Sequence, residues 1–179
     1  LPVVAANGKS ASLSVKLRCS NPGKLSEGKL MISLKDPSGK EVQKVQKDLD
    51  HFGGDIQVAD FTVKNPQLWS PDQPALYAVE ASIITLAGTH TSASHIGFRS
   101  FEFVKKGPFL LNGKRLLLRG THRHEDHAGV AAAMTEEMMR EEMISVKEMG
   151  VNFIRLGHYQ QSRIILNLCD SLGILVWEE

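Results

Sequence analysis

The apolar residues of this chain change their spacing near Lys105-Lys106-Gly107-Pro108, and no other feature limits the fold as much. Upstream they recur at every second residue, the period of a strand with one buried face. The runs are Leu13, Val15, Leu17 and Cys19; Leu30, Ile32 and Leu34; Ile56 with Val58; Phe61 with Val63; and Tyr77, Val79, Ala81 and Ile83. Turn-forming residues divide them at Asn7-Gly8, Asn21-Pro22-Gly23, Asp36-Pro37-Ser38-Gly39, Gly53-Gly54 and Ser70-Pro71-Asp72. About seven short strands over residues 1–104, with no helical period, predict an antiparallel β-sandwich of immunoglobulin-like architecture. Trp69, inside Leu68-Trp69-Ser70-Pro71, reads as an anchor of that sandwich.

Downstream, residues 105–179 follow another pattern. Phe109-Leu110-Leu111, Asn112-Gly113 and Lys114 to Leu118 read as a hairpin, because Asn-Gly tolerates the positive φ of a type I′ turn. Thr135-Glu136-Glu137 supplies an N-cap and two carboxylates for a helix that buries Met139, Met143 and Val146 and stops at Gly150. Val151 to Leu156 is a short apolar strand. A second helix runs from about Ser162 to Leu172, with Cys169 as inert packing on its buried face, and Ile174 to Trp177 is a third apolar run. Strand–helix–strand–helix–strand with apolar strands predicts a parallel sheet covered by helices. A closed (β/α)₈ barrel takes about 250 residues, so this half reads as the opening of a barrel, with about three strands and two helices.

The polar residues gather at the ends of these strands. Arg119-Gly120-Thr121-His122-Arg123-His124-Glu125-Asp126-His127 lies just past the hairpin, Arg155-Leu156-Gly157-His158-Tyr159 ends the second strand, and Glu178-Glu179 ends the third. In barrels the active site is built from loops at this rim. His124 and His158 hold corresponding places on adjacent strands and are the stronger site candidates; His122 and His127 fit structural roles. Arg155 in an apolar strand needs a carboxylate partner, and Glu178 or Glu179 could serve it or Arg119. His122-x-His124 also suggests a metal-dependent barrel hydrolase, with Asp126 or His127 completing the site. A non-enzymatic adhesion or carbohydrate-binding sandwich module is the third reading.

Taken in order, these segments resemble glycoside hydrolase family 2, the β-galactosidase and β-glucuronidase group. Asn65 to Tyr77 resembles the family's LWSP-containing stretch, Ile96-Gly97-Phe98-Arg99-Ser100-Phe101-Glu102 its GFR strand, and Phe109 to Lys114 with Leu118-Arg119-Gly120 its NGK…RG entry to the barrel. Arg123-His124-Glu125 and Asn152-Phe153-Ile154-Arg155 with His158-Tyr159 are similar to its RHE and N-x-x-R-x-x-HY segments. The resemblance implies a retaining β-glycosidase whose two catalytic glutamates, about 5–5.5 Å apart, come from later strands, so no catalytic residue is expected in this chain and the chain alone is expected to be inactive. It implies further that His124 and His158 bind sugar hydroxyls, that Arg155 orients the nucleophilic glutamate, and that Glu179 lies in the substrate pocket. The family's metal ligands lie past the third strand, so no metal or cofactor is expected here, and a divalent cation is left open for the longer protein. The residues around the rim depart from the β-galactosidase pattern at His122, Asp126-His127, Gln160-Gln161-Ser162 and Trp177-Glu178-Glu179, which touches sugar specificity.

Composition adds exclusions. A formal charge of +1 gives no field to recruit nucleic acid, and no apolar run reaches the ~20 residues of a membrane helix. Two cysteines 150 positions apart make no disulfide framework. An opened barrel has unpaired strand edges and uncovered apolar faces, so self-association of the chain is expected.

Overall fold

The computed structural model describes residues 2–21, 23–50, 52–54 and 56–179; Pro22, in the turn expected at Asn21-Pro22-Gly23, lies outside them. The chain divides into two compact units. The first runs to Gln67 and resumes over Leu76–Arg99; the second comprises Leu68–Ala75 with Ser100–Glu179.

The first unit is a β-sandwich. Strands β1 (Pro2–Val4), β2 (Ser10–Arg18) and β5 (Ile56–Lys64) form one sheet in the order β1-β2-β5. Strands β3 (Glu27–Lys35), β4 (Glu41–Asp50), β6 (Tyr77–Thr85) and β7 (Gly88–Ile96) form the other, in the order β4-β3-β6-β7, and all pairings are antiparallel. The buried residues are those of the two-residue period: Leu13, Phe61 and Val63 from the first sheet, and Leu30, Ile32, Leu34, Tyr77 and Val79 from the second. The phase changes within β5. Ile56 and Val58 are exposed whereas Ala59, Phe61 and Val63 are buried, so the two apolar pairs of this strand lie on opposite faces. Tyr77 meets Phe98 edge-to-face at 4.8 Å between ring centroids, and its hydroxyl accepts a hydrogen bond from Gln67 N at 3.0 Å.

The second unit contains two small sheets and two helices. Strands β8 (Phe101–Phe103), β9 (Phe109–Leu111) and β10 (Lys114–Arg115) form an antiparallel sheet in which Asn112 and Gly113 make the β9–β10 turn with φ of 52° and 75°. Both positive values are what a type I′ turn requires. Then follow β11 (Gly120–Arg123), helix α1 (Glu136–Glu148), β12 (Phe153–Leu156), helix α2 (Arg163–Leu172) and β13 (Leu175–Glu178). The parallel sheet is ordered β11-β12-β13. Its first strand is therefore Gly120–Arg123, inside the polar segment that the sequence places beyond a strand. The polar side chains of His122 and Arg123 on opposite faces hide it from any hydrophobic period. Gly120 is needed for closeness: a Cβ there would fall 2.6 Å from the ring of Phe153 on the neighbouring strand.

Both helices are capped as their sequences direct. Thr135 Oγ1 accepts from Met138 N at 3.2 Å, Ser162 Oγ accepts from Ile164 N at 3.2 Å, and Gly173 ends α2 with φ 72°. Met139, Met143, Ile154, Leu156, Ile165, Leu168, Cys169 and Ile174 close one core between the helices and one face of the sheet. Burial pushes the Cys169 thiol up to about 12, with the neighbouring Asp170 charge adding to it, so the group stays protonated and inert. Trp69 belongs to this second unit and not to the sandwich. It is buried, and its indole N–H donates to Asp170 O at 2.7 Å. The last turn of a helix has carbonyls without helical partners, and a buried indole needs an acceptor.

Candidate functional site at the ends of three parallel strands

Register fixes which side chains share a face. His122, Arg155 and Trp177 are partners across β11, β12 and β13, and so are Arg123, Leu156 and Glu178. Leu156 belongs to the helix-covered core, which turns the second row toward the helices and the first row away from them. Just beyond the strands, His124 follows Arg123, His158 follows Gly157, and Glu179 follows Glu178.

These ends converge. Arg155 donates to Glu179 through two nearly parallel bonds, Nε to Oε1 at 3.1 Å and Nη2 to Oε2 at 2.9 Å. His158 Nδ1 lies 3.1 Å from Glu179 Oε2 and 3.1 Å from Arg155 Nη2. The rings of His124 and His158 are 5.2 Å apart, and those of His122 and His124 5.1 Å. The structure therefore brings His124, Arg155, His158 and Glu179 into one group, with His122 alongside. His158 is exposed and His124 half-buried, so the group is open to solvent. Partial desolvation works against ionisation of Glu179, but the hydrogen bonds from His158 and Arg155 and the Arg155 charge outweigh it and hold the carboxyl below the ordinary range.

The remaining polar residues of these segments are engaged in holding the rim. Arg123 is buried, with Nε and Nη2 on Glu142 Oε2 at 3.0 and 2.8 Å and Nη1 on Gln161 Oε1 at 2.6 Å. Glu125 Oε2 accepts from Ser162 N at 2.7 Å, and Tyr159 Oη accepts from Glu125 N at 3.1 Å. Glu178 Oε1 accepts from Gln161 N at 3.2 Å, so of the two terminal glutamates it is Glu179 that pairs with Arg155. Buried Asn152 holds the approach to β11, accepting from Arg119 N at 2.8 Å and donating to Leu117 O at 3.0 Å. Glu142 carries no signal in the sequence that marks it as part of this region, and Gln161 stands out there only as a departure from the β-galactosidase pattern, with no sign of the contacts it makes. Each lies on a helix or its lead-in, and the partner is many residues away.

Among the described residues, no group of three or more His, Cys, Asp and Glu side chains could hold a metal ion. His122 and His124 stand edge to face, and among the described residues no third ligand joins them. A cluster of imidazoles, one guanidinium and one ionised carboxylate on an open rim suits hydrogen bonding to a polyhydroxylated ligand, in which each hydroxyl both donates and accepts.

Comparison with known proteins agrees with both halves. Residues 2–99 match the model of glycosyl hydrolases family 2, and residues 103–179 match that of its TIM barrel domain. The β-glucuronidase of Parabacteroides merdae is 53% identical, with a TM-score of 0.92 over 99% of this chain and 22% of its own. Bacteroides uniformis β-glucuronidase 3 is 52% identical, with a TM-score of 0.90 over the same share of each. A β-galactosidase of Thermoanaerobacter pseudethanolicus is 33% identical over 159 residues, 87% of this chain and 21% of its length. The chain thus spans about a fifth of the length of these relatives.

Proposed function

This chain belongs to glycosyl hydrolase family 2, and from that premise we propose that it forms the sugar-facing rim of a retaining β-glycosidase whose preferred substrate is a β-glucuronide. The convergence of His124, Arg155, His158 and Glu179 from three adjacent strand ends carries the reading. His124 and His158 contact sugar hydroxyls, and Arg155, aligned by its two bonds to Glu179, holds a nucleophilic carboxylate in its charged form. That carboxylate and the general acid come from elsewhere in the enzyme, about 5–5.5 Å apart as retention demands. Two observations support the glucuronide. The β-glucuronidases of Parabacteroides merdae and Bacteroides uniformis named above are 52–53% identical to this chain, whereas β-galactosidases reach 33–38%, and the rim departs from the β-galactosidase pattern at His122, Asp126-His127 and Gln160-Gln161.

The test is turnover of 4-nitrophenyl β-D-glucuronide and β-D-galactoside by a full-length enzyme carrying this segment, with product anomer followed by NMR. We expect the glucuronide to be cleaved faster and the β-anomer to form first. Preference for the galactoside removes the substrate assignment, an α-anomer as first product removes retention, and no turnover of any β-glycoside removes the reading itself. The isolated 179-residue chain is expected to be inactive, since by this reading neither glutamate of the retaining pair is among its residues. It is also expected to self-associate through exposed Phe101, Phe103, Leu117 and Trp177; light scattering at a monomer's mass would contradict that.

A further inference from the structure

Gln161 is 5% exposed, and every polar group of its side chain and its backbone N–H is engaged. Its Oε1 accepts from Arg123 Nη1 at 2.6 Å. Its Nε2 donates to Arg123 O at 3.0 Å and, at 3.4 Å, to Gly157 O. Its backbone N–H donates to Glu178 Oε1 at 3.2 Å. Arg123, Gly157 and Glu178 stand at the ends of β11, β12 and β13, and each immediately precedes a residue of the converging group: His124, His158 and Glu179. One buried carboxamide with its own amide therefore ties together the three points from which the site side chains project.

We propose that Gln161 is a positioning residue that sets the separation of His124, His158 and Glu179. The proposal rests on the functional reading above and deepens it. The position is well suited to the task. An amide supplies both a donor and an acceptor, so it joins a guanidinium and two carbonyls that no carboxylate or hydroxyl could satisfy together. Burial removes competing water, which strengthens these bonds and makes any orphaned partner costly. The Arg123 guanidinium is in turn held by Glu142 on α1, so the clamp is anchored to a helix. Displacement of a substrate-positioning group by about 1 Å can cost on the order of 100-fold in rate. A residue that touches no substrate can act at that level by holding those that do.

The experiment uses the full-length enzyme with four single variants and one double. Gln161→Met keeps the volume and removes every side-chain hydrogen bond. Gln161→Glu keeps the acceptor for Arg123 and the backbone bond to Glu178 but loses the donor to both carbonyls. His124→Ala and His158→Ala report whether the rim histidines matter at all, and Gln161→Glu/His158→Ala reads coupling. We expect both Gln161 variants to lower kcat/KM by about 10- to 100-fold, divided between kcat and KM as in His158→Ala, and both to lower the thermal midpoint because each orphans buried partners, so rates are read well below the lower midpoint. In the double variant the Gln161 change should add less than its full single-variant loss, because one of the three side chains it positions is gone and only its effects through His124 and Glu179 remain. Gln161 variants within twofold of wild type while the histidine variants are impaired overturn the clamp alone. Fully multiplicative losses in the double variant do the same, since they show that no part of the Gln161 effect passes through His158. Silent His124→Ala and His158→Ala overturn the clamp together with the functional reading beneath it. Should Gln161→Met fail to fold, Gln161→Glu and the double variant still decide the matter.

Discussion

The β11–β12–β13 sheet has two faces, and each carries one arginine paired with one glutamate. On the helix-covered face, the Arg123 side chain is 3% exposed, and it is engaged by Glu142 and Gln161 among apolar neighbours. On the opposite face, Arg155 and Glu179 are 31% and 32% exposed, with the exposed imidazole of His158 beside them. The chemistry of the two pairs is the same and their consequences differ. A charge removed from water must be matched nearly completely, so its partners are fixed and it is a structural element. A charge left at an open rim gains little stability from its partner but remains able to meet a ligand. Burial, not residue type, decides which arginine is locked inside the fold and which stays open to a ligand.

Substitutions on the covered face should produce the largest losses of stability. Ile154 is fully buried between the sheet and both helices, and Ile154→Ala is expected to cost about 2–5 kcal/mol through lost burial and the cavity left behind. Urea unfolding of the full-length enzyme followed by circular dichroism checks this. A shift under about 1 kcal/mol would erase the contrast with the open face. Arg123→Ala comes next, at about 2–3 kcal/mol: it breaks a buried pair, but Glu142 is 31% exposed and can recover water. Arg123→Met should cost less than Arg123→Ala, since it fills the space without a charge to satisfy.

The order reverses when activity is measured at the open face. Arg155→Ala should change stability by no more than about 1 kcal/mol yet lower kcat by on the order of 100-fold or more, the scale of losing an aligned charge in a site. Unfolding curves and steady-state rates on the same preparation separate the two effects. A large stability loss with little change in kcat would make Arg155 a second Arg123.

What the sequence reveals of this molecule follows the same division. Strands that bury one face announce themselves, as β2, β3 and β6 do. The edge strands β4 and β7 do not: Glu41–Asp50 buries only Leu49, and Gly88–Ile96 is exposed over nearly its whole length, so neither has a two-residue hydrophobic period. Strand β11 is hidden because Arg123 stands where an apolar residue would normally face the helices, and its neutralisation by Glu142 depends on tertiary structure. Trp69 carries a motif but not its location, since the acceptor of its indole lies in α2. His124, Arg155, His158 and Glu179 were legible because chain order alone puts them at the ends of successive parallel strands. Gln161 was not, because its contacts with Arg123 span 38 positions and no local pattern specifies them.

The smallest expected effect lies in the titration of Glu179. Its carboxyl is held below the ordinary range: partial desolvation opposes the charge, while the bonds from His158 and Arg155 and the Arg155 charge favour it more strongly. A carboxylate with a lowered value in the folded state stabilises that state wherever the unfolded chain would also be ionised. It ceases to do so once pH has fallen below the folded value. The contribution should therefore be fully present at neutral pH, shrink as pH drops through the ordinary carboxylate range, and vanish beneath the lowered value. Glu179→Gln removes the titrating group, so the stability difference between wild type and variant should be constant above that range and decline below it. Thermal midpoints across an acidic pH series give the comparison. A difference that grows as pH falls would mean that Glu179 is held protonated, not ionised, and the open face would then present Arg155 without its counter-charge.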